Sequence, residues 1–139
     1  SEIPFVPHVL VGLHYGKLKG ELQALKIISK YSPSAVIIIA FMPIHGTPME
    51  KVNPPEPEDI AKVLITARLM MPQTPIVLGC MRPKGKHRMR TDTFAVKAGV
   101  NAIAFPAEEA IRLAESIGLV ITFSSLCCSQ IFEDIKFGI

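Results

Sequence analysis

Ala35-Val36-Ile37-Ile38-Ile39-Ala40-Phe41 is an unbroken apolar run with no polar residue alternating along it. A strand wetted on one face alternates; a strand covered on both faces does not. The run therefore predicts a parallel strand lying between layers of helix. Even continued to Pro43 it is too short to cross a bilayer. Upstream, His8 to Leu13 is a second strand candidate with Gly12 near its end. Lys19 to Lys30 follows as a helix, with Leu22, Leu25 and Ile28 on one side and Glu21, Lys26 and Lys30 on others.

Downstream, the connection from Met42 to Glu56 carries Pro43, Gly46, Pro48, Pro54 and Pro55. It exceeds the roughly two to six residues usual for such links, which marks it as a candidate functional loop. Pro57 suits the first turn of a helix, Glu58 and Asp59 favour its positive end, and Ile60, Val63, Leu64 and Ala67 make its buried side. Pro72 stops that helix near Met71. Pro75 to Leu78 is the next strand, and Gly79 to Arg90 reads as a glycine- and base-rich loop. Thr91 or Asp92 can cap a short helix reaching Ala98, which Gly99 ends. Asn101 to Ala104 is a fourth strand. Pro106 opens a helix with Glu108 and Glu109 in its first turn and Gly118 past its end. Leu119 to Phe123 is a fifth strand candidate, and the tail 124–139 is left open, a short helix packed over an edge being one reading.

The alternation predicts a single α/β domain over residues 1–139, built on a mostly parallel sheet of about five strands with βα repeats. No linker or internal repeat divides it. The length of 139 residues supports a real core but not a complete eight-unit barrel, which takes about 250 residues. In such sheets ligands sit beyond the carboxyl ends of the strands. The loops His14–Lys17, Met42–Glu56 and Cys80–Arg90 are expected to share that end and to bring His14, His45, Glu50 and Arg82 together.

Apolar types make up 49% of the chain and charged types 19%, which excludes a disordered polypeptide. The net charge of +3 is too mild to point to nucleic acid. Its distribution says more, because Arg82, Lys84, Lys86, Arg88 and Arg90 crowd around His87. Cations on a loop at the ligand end of a sheet can hold a carboxylate or phosphate, and Arg82 is the preferred clamp because its guanidinium binds in a bidentate way. The plainer alternative is a solvated surface loop. No aromatic interleaves the cations, which argues against a nucleic-acid partner.

In Pro43-Ile44-His45-Gly46-Thr47-Pro48, backbone donors near Gly46, the Thr47 hydroxyl and His45 could touch a ligand, or the prolines merely shape the loop. Gly12-Leu13-His14-Tyr15-Gly16 lacks both a dinucleotide fingerprint and a phosphate-loop ending. Gly12 can still permit close backbone approach, and His14 either points into a site or is structural. Cys80, Cys127 and Cys128 make no disulfide scaffold, so a reducing cytoplasmic setting is expected; Ser1-Glu2-Ile3-Pro4 shows no basic region followed by an apolar stretch, and no membrane partner is expected. Adjacent cysteines chelate one ion poorly, so no metal site is assigned. Glu108 and Glu109 are explained by helix-end electrostatics, and no catalytic residue is assigned.

Ala67-Arg68-Leu69-Met70-Met71-Pro72, then Ile76 to Arg82, then Lys97-Ala98-Gly99-Val100-Asn101-Ala102-Ile103, resembles the C-terminal half of biotin synthase-like radical S-adenosylmethionine enzymes. Gly46-Thr47-Pro48-Met49 and the strand ending Val11-Gly12-Leu13 fit in the same order, so the likeness covers roughly residues 8 to 105. It implies the later strands of a (β/α) barrel, half of a TIM-type fold. It also implies that Gly12, His14, His45, Gly46, Thr47 and Arg82 lie near S-adenosylmethionine or substrate. The family's CxxxCxxC motif is absent from these 139 residues. Val77 stands where true biotin synthases carry a cluster-holding arginine, and His14-Tyr15 stands where a glutamate is usual. Archaeal lipoyl synthase-like relatives suit the missing arginine better.

The resemblance therefore implies that the chain alone holds no cofactor, with S-adenosylmethionine and a 4Fe-4S cluster held elsewhere in the full enzyme. Three readings stay open. The chain is part of a radical enzyme whose cluster-bearing N-terminal half lies elsewhere, a binding module for a small anionic metabolite, or a non-catalytic structural half-barrel. A half-barrel leaves strand edges to be covered by the missing half or by self-association.

Overall fold

The computed structural model describes residues 3–138. Strands β1 (His8–Val11), β2 (Val36–Ala40), β3 (Ile76–Leu78) and β4 (Ala102–Ile103) form one sheet in the order β1-β2-β3-β4, with every neighbouring pair parallel. Leu10 pairs with Ile39, Ile38 with Leu78, and Leu78 with Ile103. Each strand is followed by a helix: α1 (Glu21–Ile28), α2 (Pro57–Met70), α3 (Lys86–Lys97) and α4 (Glu108–Ser116). A 3-10 turn over Cys128–Gln130 leads into α5 (Ile131–Phe137). This is an α/β fold with the arrangement of part of a βα barrel.

The central run behaves as its composition requires. Val36, Ile38 and Ala40 face the main core with Val9, Val11, Ile76 and Leu78, against Leu25 of α1, Ile60, Val63, Leu64 and Ala67 of α2, and Ala95 of α3. Ile37 and Val77 point the other way by strand alternation, and both are also fully buried. On that second face Gly79 leaves room for its neighbours: a Cβ there would come within 2.6 Å of Ile39 and 2.8 Å of Ile37. At the amino end of the strands Arg68 ties the layers together. Its guanidinium donates to the carbonyls of Pro72, Thr74 and Gly99 and to Asn101 Oδ1. That same Asn101 oxygen accepts the Ile76 N–H at 3.0 Å.

Two expectations are corrected. Leu119 to Phe123 forms no strand, so the sheet has four strands among the described residues. The Leu119 N–H turns back to Ala114 O, and Val120 is 94% exposed. A strand needs a partner ladder, and β4 is only two residues long. The loop read over Gly79 to Arg90 is also shorter than expected, because α3 begins at Lys86. Gly85, at φ 64° and ψ −140°, makes the sharp turn that launches the helix. Asp92 is therefore inside α3 rather than at its cap.

A rim built from four loops

Because all four strands are parallel, the loops after them leave from one end of the sheet. They are also in contact. A Cβ on Gly12 would lie 2.7–2.9 Å from the Pro55 ring, and one on Gly16 would lie 2.1 Å from Asn53 O. Gly12 has φ 80° and Gly16 φ 75°. The loop after β1 thus sits flush on the loop after β2, at a distance that only hydrogen side chains allow. From the first turn of α3, just past the third loop, His87 Nε2 meets the Pro55 carbonyl at 2.7 Å. A carbonyl accepts only, so Nε2 carries the proton, and Nδ1 can accept from the Thr91 hydroxyl at 3.2 Å. Between the first two loops lies a cleft of about 300 Å³ bordered by Tyr15, Lys17, Asn53, Glu56 and Asp59.

Two buried acidic side chains hold the rim in place, and neither role was visible in the sequence. Glu21 lies off the apolar stripe of α1, yet it is only 6% exposed. Its carboxylate accepts the Gly12 N–H at 2.9 Å and the Lys19 N–H at 2.6 Å, tying the end of β1 to the start of α1. Replacing it strands two backbone donors. Glu21→Ala is expected to cost about 2 kcal/mol of stability, read as a lowered urea midpoint, with Glu21→Gln retaining part of the loss because one acceptor oxygen remains.

The second acid is Asp92. Arg82 and Asp92 are both fully buried and joined in a fork, Nε to Oδ1 at 2.7 Å and Nη2 to Oδ2 at 2.8 Å. Arg82 also donates to Gly79 O at 2.7 Å and Phe105 O at 3.3 Å, while Asp92 Oδ2 accepts the Ala107 N–H at 2.8 Å. The pair therefore binds the end of β3, the middle of α3 and the loop after β4. On sequence grounds Arg82 is expected on a cationic loop as an anion clamp. The structure instead turns it inward, because Asp92, one helical stretch away, supplies a matching bidentate acceptor.

The remaining predicted cations separate. Lys84 and Lys86 are exposed beside the start of α3. Arg90 pairs with Glu58 of α2. Arg88 is half-buried, its Nη2 donates to Arg82 O at 3.4 Å, and its buried Nε has no hydrogen-bond partner. His14 is exposed and meets the Tyr15 ring edge-on at 5.3 Å. His45 is fully exposed, with Nδ1 3.1 Å from Glu50 Oε2, and the same carboxylate oxygen accepts the Gly46 N–H at 2.8 Å. Thr47 Oγ1 donates to Ile44 O at 2.7 Å. Glu50 thus organises the His45–Thr47 turn, whereas Arg82 lies in the interior. Apolar side chains on the rim were also missed: Leu13, Tyr15, Ile44, Met81 and Phe105 project from the four loops and remain exposed. Phe105 does so from φ 48°, a backbone state that β-carbon residues seldom adopt.

A 4Fe-4S cluster does not fit this chain. Cys80, Cys127 and Cys128 lack the required spacing, and no group of three His, Cys, Asp or Glu among the described residues is arranged to hold a metal. No helix among them is long and apolar enough to cross a membrane.

The parallel βα units and the rim at their carboxyl ends define an α/β module of the partial-barrel class. Residues 38–125 match the family model of the Biotin and Thiamin Synthesis associated domain, and the chain belongs to that family. Among similar curated proteins, biotin synthase from Zymomonas mobilis is 34% identical over 73 residues, covering 52% of this chain and 21% of its own length. Biotin synthase from Buchnera aphidicola is 33% identical over 93 residues, 64% of this chain and 26% of its own. The 7,8-didemethyl-8-hydroxy-5-deazariboflavin synthase from Archaeoglobus fulgidus is 35% identical over 77 residues, 52% of this chain and 24% of its own. The chain spans about a fifth to a quarter of the length of these relatives. No solved structure matches it.

Proposed function

We propose that these residues form the C-terminal portion of a radical S-adenosylmethionine enzyme of the biotin synthase kind. In this reading the rim contacts S-adenosylmethionine or substrate, while a cluster-bearing segment elsewhere supplies the reducing electron. One observation carries it: four loops are locked together at the carboxyl end of the sheet, yet Leu13, Tyr15, Ile44, Met81 and Phe105 on them stay uncovered. Membership of the family and the ordered likeness to biotin synthases support the choice of chemistry. His14, His45, Gly46 and Thr47 lie on exposed parts of the rim and are the proposed contacts. Gly12 acts by letting the loop after β2 close on it. Arg82 acts indirectly, by fixing the loop that presents Phe105. The outer flank of β1, terminal in the sheet order, is the proposed seam for the cluster-bearing segment.

The test is co-expression with a CxxxCxxC-bearing partner segment, followed by iron analysis and equilibrium binding of S-adenosylmethionine. A complex that carries iron and binds S-adenosylmethionine, with binding weakened at least tenfold by Tyr15→Ser together with Phe105→Ser, is the expected result. Absence of a complex with any such segment overturns the proposal. A second reading, binding of an anionic metabolite, is favoured by Lys84, Lys86 and the unpartnered Arg88 Nε beside the start of α3. Saturable binding of a carboxylate or phosphate compound by the iron-free chain, lost in Lys84→Glu with Lys86→Glu, would select it.

A further inference from the structure

The cleft between the loops after β1 and β2 is lined by two opposite charges that do not meet. Lys17 comes from the first loop and Glu56 from the start of α2, and both are exposed. The acids beside Glu56 are matched: Asp59 Oδ1 accepts from Lys62 Nζ at 2.7 Å, and Glu58 pairs with Arg90. Among the described residues no ion pair uses Lys17 or Glu56. Glu56 is the cap residue of α2, yet its side chain makes no capping bond, and Glu58 and Asp59 in the first turn supply the negative charge that this helix end favours. The Glu56 carboxylate is therefore idle in the fold. The rest of the lining is apolar and fixed. Tyr15, Val52 and Pro54 border the same space. Tyr15 is held at φ 49° by a tight turn, in which the Gly16 N–H donates to Gly12 O at 2.8 Å and the Lys17 N–H to His14 O at 2.9 Å. The close packing of Gly16 on Asn53 O sets the two loops against each other.

We propose that this cleft binds a free α-amino acid with an apolar side chain. The ligand carboxylate meets Lys17, its ammonium meets Glu56 and the second carboxylate oxygen of Asp59, and its side chain lies against Tyr15, Val52 and Pro54. A zwitterion answers both idle charges at once with charge-assisted hydrogen bonds. A simple anion or a simple amine answers one and leaves the other repelling it. Size points the same way. About 300 Å³ stands at the small end of the roughly 300–1,000 Å³ usual for ligand sites, which suits a single amino acid better than a nucleotide. Because the turn at Tyr15 and the Gly16–Asn53 contact shape the cleft beforehand, little ordering entropy is lost on binding. The proposal goes beyond the radical-enzyme reading. Every lining residue belongs to this chain, so binding needs no cluster-bearing segment, and failure of such a segment to assemble leaves the result untouched.

The experiment titrates the chain calorimetrically with L-leucine and L-phenylalanine. It repeats the titration with 4-methylpentanoate and 3-methylbutylamine, which are L-leucine without its ammonium and without its carboxylate. At least one amino acid is expected to saturate with a Kd at or below about 1 mM, and both truncated compounds to bind at least about tenfold more weakly than L-leucine. Backbone amide shifts in nitrogen-15 spectra should cluster in residues 15–17 and 52–59. Lys17→Met and Glu56→Gln should each weaken amino-acid binding at least about tenfold. Both replace exposed side chains, so their urea midpoints should match that of the parent chain. Tyr15→Asn, which tolerates the left-handed backbone but removes the ring, should weaken binding as well. No saturable binding of either amino acid up to about 10 mM, truncated compounds that bind as tightly as L-leucine, shifts centred elsewhere, or folded Lys17→Met and Glu56→Gln variants that bind like the parent would each overturn the proposal.

Discussion

Asp92→Ala lowers the free energy of unfolding by about 3–5 kcal/mol, because it leaves the buried Arg82 guanidinium without its counter-charge. Arg82 and Asp92 are both fully buried, so water cannot take over the lost contacts without opening the protein. The same substitution removes the acceptor of the Ala107 N–H at the start of α4. Urea denaturation reads the effect as a lower midpoint with a nearly unchanged slope. The double change Arg82→Met with Asp92→Leu should be less damaging than Asp92→Ala alone, because it removes the stranded charge along with its partner. A cost below about 1 kcal/mol for Asp92→Ala would show that the pair does not clamp the rim.

Gly16→Ala produces the second large loss, and its cause is a backbone collision. The new Cβ would stand 2.1 Å from Asn53 O, so the loop after β2 must lift away from the loop after β1. Gly16 also has φ 75°, where a side chain adds about 1–2 kcal/mol of strain. Gly46→Ala is the matched comparison. Its φ is 80°, but its Cβ would meet nothing within 4 Å. Gly46→Ala should therefore show the backbone strain alone. Gly16→Ala should lose at least about 2 kcal/mol more and open residues 42–56 to limited proteolysis. Equal losses in the two variants would mean that the two loops are not locked together.

The sheet was legible because the physics behind it is local. The unalternating run at Ala35 to Phe41 and the caps and breakers around Pro57, Pro72, Gly99 and Gly118 name their elements without reference to distant residues. The start of α3 was not legible in the same way. Lys86 to Arg90 is charged and follows Pro83 and Gly85, so it reads as loop. The helix there is secured by Asp92 finding Arg82 and by His87 finding Pro55, contacts outside any sequence window. The fifth strand failed for the opposite reason. Leu119 to Phe123 has the composition of a strand, but composition cannot supply a partner, and β4 is too short to be one.

The site divided along the same line. The meeting of the loops followed from parallel strands. The inward turn of Arg82 and the burial of Glu21 depend on tertiary geometry that residue type does not encode.

Spatial order in the sheet copies order along the chain, β1 to β4 without a skip. Every crossover therefore joins immediate neighbours, and no strand must wait for a later one to be threaded between two others. Assembly can advance like a zip, each βα unit templating the next, which keeps loop-closure entropy small at every stage. The same layout concentrates vulnerability at the last-added unit, where β4 contributes only two residues to the ladder. Local opening should start there and spread backwards toward β2.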